Sequence, residues 1–152
     1  MKKLLTILSI VLTSSIAFLG FIKPNQVRAD DDTPVVTIGT SLTNEQKQGT
    51  IKTLIQPLNG GNYQTITITG SDLVKYLNPS GDNFTTSSGV WSSAMIQKTS
   101  SGSGINVKIL DYNGKNNITT ITANQYKNAA LTAGITDANI YVTSAVPIDG
   151  SG

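Results

Sequence analysis

The sequence predicts an α+β domain with a mixed sheet, preceded by a secretory leader. Short segments in which apolar and polar residues alternate indicate strands, and capping signals followed by apolar stripes indicate helices. These segments follow one another in the order β-α-β-α-β-β-α-β. Two helical crossovers and a predicted hairpin imply parallel and antiparallel pairs in one sheet, with the helices covering one face.

The first strand is predicted at residues 35–38, which are mostly β-branched. Thr43 and Gln46 have the spacing of a capping box, so a helix is expected to begin there. Pro57 limits this helix, and residues 59–61 turn the chain. Its apolar residues follow the i, i+3, i+4, i+7 pattern of one buried stripe, namely Ile51, Leu54, Ile55 and Leu58.

The middle of the chain is predicted to hold a strand, a short helix and a long loop. Residues 63–69 alternate isoleucine with threonine, which indicates a strand buried on one side. Ser71 is expected to cap the short helix, which ends near Pro79. Residues 79–89 are polar and contain glycine, so we expect a loop there.

Two further strands are predicted at residues 90–98 and 104–111. A turn at residues 100–103 would join them as a hairpin, in which they pair directly. Asn113 and Gly114 then form the residue pair typical of a type I′ turn.

The last helix has the clearest local signals. Thr122 and Gln125 form a second capping box, and Gly134 has the position of a left-handed C-cap. A closing strand follows at residues 140–143. One helix face, expected to pack closely on the sheet, consists of Tyr126, Ala129, Ala130 and Ala133.

The N-terminus has the organisation of a signal peptide. Lys2 and Lys3 precede an apolar stretch at residues 4–22, and Val27 and Ala29 place small residues before a cleavage site. An uncleaved anchor is the alternative, because the apolar stretch lies at the short end of what spans a bilayer.

The leader defines the expected domain organisation and location. Cleavage after Ala29 would remove residues 1–29 and leave a short lead at residues 30–34, followed by one domain at residues 35–149. We therefore expect a secreted protein with no membrane span after cleavage.

The composition of the predicted mature chain excludes several classes of function. Four of the 11 basic residues lie in the leader, which leaves seven scattered lysines against nine acidic residues and a net charge near −2. Nucleic-acid binding is therefore not expected. The mature chain has no Cys, His or Arg, which excludes histidine-assisted nucleophiles and the usual Cys/His metal sites. We predict no metal and no cofactor.

An enzyme built from this composition would depend mainly on carboxylates. A hydrolase of cell-wall or glycan substrates needs two of them across a cleft, and the candidates are Asp72, Asp82, Asp111 and Asp137. None lies in a recognised motif, and helix-dipole and turn chemistry account for Asp72 and Asp137. We assign no catalytic, cofactor-binding or metal residue. The prediction is a non-catalytic binding or cell-envelope-associated module with an unknown partner, and the paired-carboxylate hydrolase is the alternative.

Two aromatic residues flank the long loop. An exposed pair of Phe84 and Trp91 would indicate a contact for carbohydrate or peptide. A core tryptophan on the strand at residues 90–98 is the favoured interpretation.

Residues 126–135 read YKNAALTAGI, and Asp137 and Ala138 follow. This segment resembles the YxNALxTAGIxDA segment of the DUF1002 family and is the most specific of several matches. The other matches are to its LGxxLsxxQ opening, its aiSS strand, its GxGinV segment and its aPxxVSG segment, at residues 39–47, 91–94, 102–107 and 146–150.

The resemblance covers about residues 35–150 and implies a secreted protein of a Gram-positive bacterium. It supplies a fold and a compartment but no activity, because the function of the family is not established. In the family, further helical sequence usually follows the last segment, so the resemblance implies that the domain is a fragment lacking a C-terminal helical part.

Overall fold

A computed structural model describes residues 32–148, in which five strands form one mixed sheet and three α-helices pack on it. The strands are β1 (Val35–Gly39), β2 (Gln64–Ile68), β3 (Ser92–Lys98), β4 (Ile105–Ile109) and β5 (Ala138–Ser144). The helices are α1 (Asn44–Ile55), α2 (Gly70–Leu77) and α3 (Ala123–Thr132), and 3-10 turns follow at Gln56–Leu58 and Asn78–Ser80. The predicted α+β class and element order are confirmed. The predicted leader lies outside the described residues.

All three helices begin at capping boxes. In each box the threonine hydroxyl accepts a bond from the third helical residue, whose side chain accepts one from the threonine N–H. Thr43 and Thr122 were predicted for α1 and α3. For α2 the prediction of Ser71 is wrong. The cap is Thr69, because Asp72 at the third position completes the reciprocal pair with it.

The strand order is β2-β1-β3-β5-β4, in which β1 and β2 are parallel, β4 and β5 are parallel, and β3 is antiparallel to both of its neighbours. The predicted direct pairing of residues 90–98 with 104–111 is therefore wrong. Strand β5 lies between them, and Ala138 is opposite both Lys98 and Ile105. The turn after β3 crosses two strand spacings, about 10 Å, to reach β4.

The helices cover both faces of the sheet, where the sequence predicted coverage of one. Helix α1 packs on the face that contains Val36, Ile38 and Met95. Helices α2 and α3 pack on the opposite face, against Ile68 and Ile140 respectively. The physical reason is that β1 is buried along its whole length, so both of its faces need apolar cover.

This arrangement gives the two βαβ connections opposite hands. Both β1-α1-β2 and β4-α3-β5 move across the sheet in the same direction between strands of the same orientation. Their helices lie on opposite faces. The two connections therefore have opposite hands, so one of them is of the uncommon left-handed kind.

Helix α3 ends as predicted. Gly134 has a φ of +87°. The N–H of Ile135 donates to the carbonyl of Ala130, and the N–H of Gly134 donates to that of Leu131, which together form a Schellman motif. The small face predicted to lie on the sheet is confirmed, since Ala129 and Ala130 are buried in the cluster that contains Ile140.

Candidate functional site

The four candidate carboxylates serve different local structures, and Asp72 belongs to a helix cap. Its Oδ2 accepts bonds of 2.8 Å from both the N–H and the hydroxyl of Thr69. A carboxylate in the first turn also interacts favourably with the helix dipole. Stabilisation of α2 therefore accounts for Asp72.

Asp137 fastens the turn between β3 and β4. Its Oδ1 accepts a 2.8 Å bond from the N–H of Gly104, and its Oδ2 accepts one from the hydroxyl of Thr136. Hydrogen bonds from Gly104 first, and then from Thr136, Gly102 and Ser103, hold the pKa of this carboxyl below its ordinary value. The turn between β3 and β4 passes the start of β5, because β5 lies between these two strands. The carboxylate of Asp137 therefore links the turn to the residue that precedes β5.

The candidate carboxylates are also far apart. Asp111 follows β4 and Asp72 follows β2, which are the two edge strands, separated by four strand spacings or about 19 Å. Asp137 precedes β5, which is parallel to β4, so it lies at the amino ends of these strands, whereas Asp111 lies at their carboxyl ends. Asp82 follows the far end of α2, whose eight residues are about 12 Å long. The topology therefore keeps Asp72, Asp111 and Asp137 further apart than the paired carboxylates of a glycosidase.

The segment after β4 is a tight turn. Asn113 and Gly114 both have positive φ, and Tyr112 and Lys115 exchange backbone hydrogen bonds across them. The predicted type I′ turn is therefore confirmed. Within residues 32–148 no group of three or more Asp or Glu side chains is placed to hold a metal ion. No helix in the same range is long and apolar enough to cross a membrane.

The expectation of a core tryptophan is wrong. Strand β3 begins at Ser92, one residue after Trp91, and 42% of Trp91 is exposed. Phe84 is half-buried in the cluster beneath α2, so the two aromatic residues do not form an exposed pair. The indole lies against Gly89, where a Cβ atom would overlap the ring. Strand alternation does not predict this exposure, because Trp91 lies outside the strand.

Two glycines hold the loop that carries Trp91 against the rest of the fold. A Cβ on Gly39 would lie 2.6 Å from the carbonyl carbon of Val90. A Cβ on Gly70 would lie 2.7 Å from the carbonyl carbon of Thr86. The backbones therefore approach more closely than any side chain allows.

Hydrogen bonds fasten the same loop at both ends. The Ser41 N–H donates to the Val90 carbonyl at 3.0 Å, and the Val90 N–H donates to the Ser41 hydroxyl at 2.8 Å. At the other end, the Asn78 side chain bonds both the N–H and the carbonyl of Phe84. The indole consequently stands on a loop whose backbone is fixed on two sides.

This loop lies at a topological switch point of the sheet. Strand β1 leads to α1 on one face, and its parallel neighbour β2 leads to α2 on the other face. The connections therefore separate at the carboxyl ends of β1 and β2, which is where ligands commonly bind in sheets with parallel strands. Close backbone approaches at Gly39 and Gly70 bring the loop with Trp91 to this edge.

The segments at this edge carry no charge. Residues 38–44, 68–71 and 83–93 contain no Asp, Glu, Lys or Arg but many Ser and Thr. Asp72 follows the second of these segments, where its Oδ2 accepts the two bonds from Thr69 in the cap of α2. Among them, the Thr85 hydroxyl lies 2.9 Å from that of Ser87. The candidate site is therefore an exposed indole with uncharged, hydroxyl-rich surroundings.

Comparisons with known proteins identify the family but no activity. The family described as "Protein of unknown function (DUF1002)" matches residues 38–152. The "Uncharacterized protein YpuA" of Bacillus subtilis (strain 168) is 33% identical over 117 residues. That match covers 77% of this chain but only 37% of the relative, so the chain spans less than two thirds of the relative's length. No solved structure matches. The chain belongs to the DUF1002 family.

Proposed function

We propose that this chain is exported and acts as a non-catalytic binding module that recognises a component of the cell envelope or of the extracellular medium. The observation that carries the proposal is the exposed Trp91, which stands on a fixed loop at the switch point. The separation of Asp72, Asp111 and Asp137, and the structural roles of Asp72 and Asp137, favour binding over hydrolysis.

Export rests on the predicted leader and is tested by N-terminal sequencing of the protein made in a Gram-positive host. The expected result is a chain in the culture medium that begins at Asp30. Recovery of a membrane fraction whose protein retains Met1 would make the chain an anchored protein instead.

Binding is tested by incubating purified residues 30–152 with cell-envelope fractions and measuring the retained protein. Trp91→Ala is expected to lower retention strongly. Tyr63→Ala is the matched control, because Tyr63 is exposed to a similar extent, 37%, at the opposite edge of the sheet. Equal retention of all three proteins would contradict a binding role for this edge.

The alternative, a hydrolase, is tested by a separate activity measurement. Release of soluble sugars from cell walls or glycans by the unsubstituted protein would point to a hydrolase. Alanine substitution of the four carboxylates, one at a time, would then identify the reactive pair. A large loss of activity at two positions with the fold intact would overturn the non-catalytic proposal.

A further inference from the structure

We infer that the ligand of this edge is an uncharged saccharide, one sugar ring of which stacks on the exposed face of Trp91. The inference rests on the proposed binding function and adds the chemical class of the ligand.

The indole has the electronic character that a sugar ring matches. The face of an aromatic ring is electron-rich, whereas the C–H bonds of a pyranose are polarised with hydrogen positive, so the two surfaces attract. The ring N–H of tryptophan is a hydrogen-bond donor, which a sugar hydroxyl can accept. One exposed indole thus offers an apolar surface and a polar contact to the same ligand.

The backbone of the loop that carries the indole is fixed without a ligand. Gly89 lets the ring lie against the backbone, and the close approaches at Gly39 and Gly70 fix the loop on either side. Ser41 adds its two hydrogen bonds to Val90. A surface ordered before binding loses less conformational entropy when the ligand arrives, which favours the weak contacts that a neutral sugar makes.

The lack of charge in the three surrounding segments selects among ligand classes. An anionic ligand would need lysine or arginine nearby, and residues 38–44, 68–71 and 83–93 contain none. A cationic ligand would need a carboxylate; these segments contain none, and Asp72, which follows them in the first turn of α2, already accepts two hydrogen bonds from Thr69. Their serine and threonine hydroxyls can both donate and accept, as a polyhydroxylated ligand requires. Neutral hydroxyls around an aromatic surface therefore favour a neutral saccharide.

A proline-rich peptide is the competing class, since such peptides dock on grooves lined by several aromatic side chains. Within residues 32–148 the exposed large apolar side chains are Tyr63, Trp91 and Leu131. Tyr63 precedes β2 and Leu131 lies near the end of α3, so neither forms a groove with Trp91. The surface fits a single flat ring better than a polyproline ridge.

The test uses the fluorescence of Trp91, which is the only tryptophan in the chain and reports directly on this surface. Residues 30–152 are titrated separately with the tetrasaccharide of N-acetylglucosamine, with cellotetraose and with a proline-rich decapeptide. We expect a saturable change in emission with at least one tetrasaccharide and none with the peptide. Isothermal titration calorimetry then gives affinities for variants that lack the indole.

The variants separate stacking from structure. Trp91→Ala is expected to weaken saccharide binding at least about tenfold, and Trp91→Phe, which keeps an aromatic face, by less. Tyr63→Ala is expected to bind as the unsubstituted chain does. Gly89→Ala should also weaken binding, because the new methyl group displaces the ring while the backbone keeps its hydrogen bonds.

The outcomes distinguish this inference from the proposed function. If neither tetrasaccharide binds but retention on envelope fractions still depends on Trp91, the ligand class is wrong and the binding function stands. Binding of the decapeptide alone would replace the saccharide with a peptide. If retention does not depend on Trp91 either, both proposals fail.

Discussion

Gly39→Ala examines the contact that fixes the candidate site to the sheet. The alanine methyl group would lie 2.6 Å from the carbonyl carbon of Val90 and 3.0 Å from the N atom of Trp91. Nonpolar contacts are favourable at about 3.5–4.0 Å, so the backbone of one segment has to move by several tenths of an ångström or more. Both partners are backbone atoms, so no side-chain rotation relieves the overlap.

Two opposing effects determine how much the free energy of unfolding changes in Gly39→Ala. Overpacking of this kind costs about 1–3 kcal/mol. Replacing glycine restricts the unfolded chain, which returns about 0.4–1 kcal/mol. The net loss is therefore about 1–2 kcal/mol. With an unfolding entropy of about 2.1 cal/mol/K per residue, a domain of this size should lose about 4–8 °C in melting temperature.

Differential scanning calorimetry and urea unfolding measure this loss. Gly89→Ala is the matched control, since its methyl group would meet only the outer ring atoms of the exposed Trp91, which can turn away. We expect little change in the stability of that variant. An unchanged melting temperature for Gly39→Ala would refute the close approach, and with it the argument that the loop carrying Trp91 is fixed before ligand binds.

Four further substitutions probe the fold away from this edge. Ala130→Leu should lower the melting temperature by several degrees, because Ala130 is fully buried on the sheet, and a neutral result would mean that this face is loosely packed. Gly134→Val should do the same through the φ of +87°, which costs a β-branched residue about 1–2 kcal/mol; a normal melting temperature would contradict the left-handed cap. Asp137→Asn should lower the urea midpoint at neutral pH but not in acid. The pKa of Asp137 is lower in the folded chain than in the unfolded one, so its contribution is complete above the ordinary aspartate pKa and is lost as the pH falls through the folded pKa. Tyr126→Phe should leave the melting temperature unchanged or raise it, since the buried hydroxyl has no hydrogen-bond partner within the described residues.

The sequence predicted the local structure well because its signals act within a few residues. A capping box joins residues three positions apart, and the boxes at Thr43 and Thr122 formed as predicted. The turn at Asn113 and the cap at Gly134 likewise depend on the φ of single residues. The error at Ser71 is also local, because Thr69 and Asp72 have the capping-box spacing, whereas the residue three positions after Ser71 is Val74, which cannot accept a hydrogen bond.

Strand pairing could not be predicted in the same way. The turn signals after residue 98 predict a hairpin of β3 and β4. In the structure β5, which begins some 30 residues after β4 ends, lies between these two strands. Insertion of β5 is favoured because its apolar side chains pack against apolar side chains of both neighbouring strands. Ile140, for example, lies opposite Ile96 of β3 and Val107 of β4. That competition depends on contacts that no short segment contains.

The candidate site was difficult to predict for a related reason. In the sequence, Gly39, Gly70 and Gly89 resemble ordinary turn residues. Their close contacts appear only in the folded chain, where the segments that contain them meet. The candidate carboxylates are of the residue type that catalysis uses, but the oxygens of Asp72 and Asp137 accept hydrogen bonds from backbone N–H and hydroxyl groups of the fold.

The two kinds of residue differ in what the fold requires of them. A carboxylate that accepts hydrogen bonds from its own domain already contributes to stability, so its presence needs no ligand. An indole with 42% of its area exposed contributes less to the core than a buried one does, although the fold keeps a glycine beside it and two close backbone approaches around it. On the proposed function, recognition of a neutral ring at the switch point would account for both the exposure and the rigid support. For this reason substitution of Trp91, with Tyr63 as the control, is the most direct experiment on what this protein does.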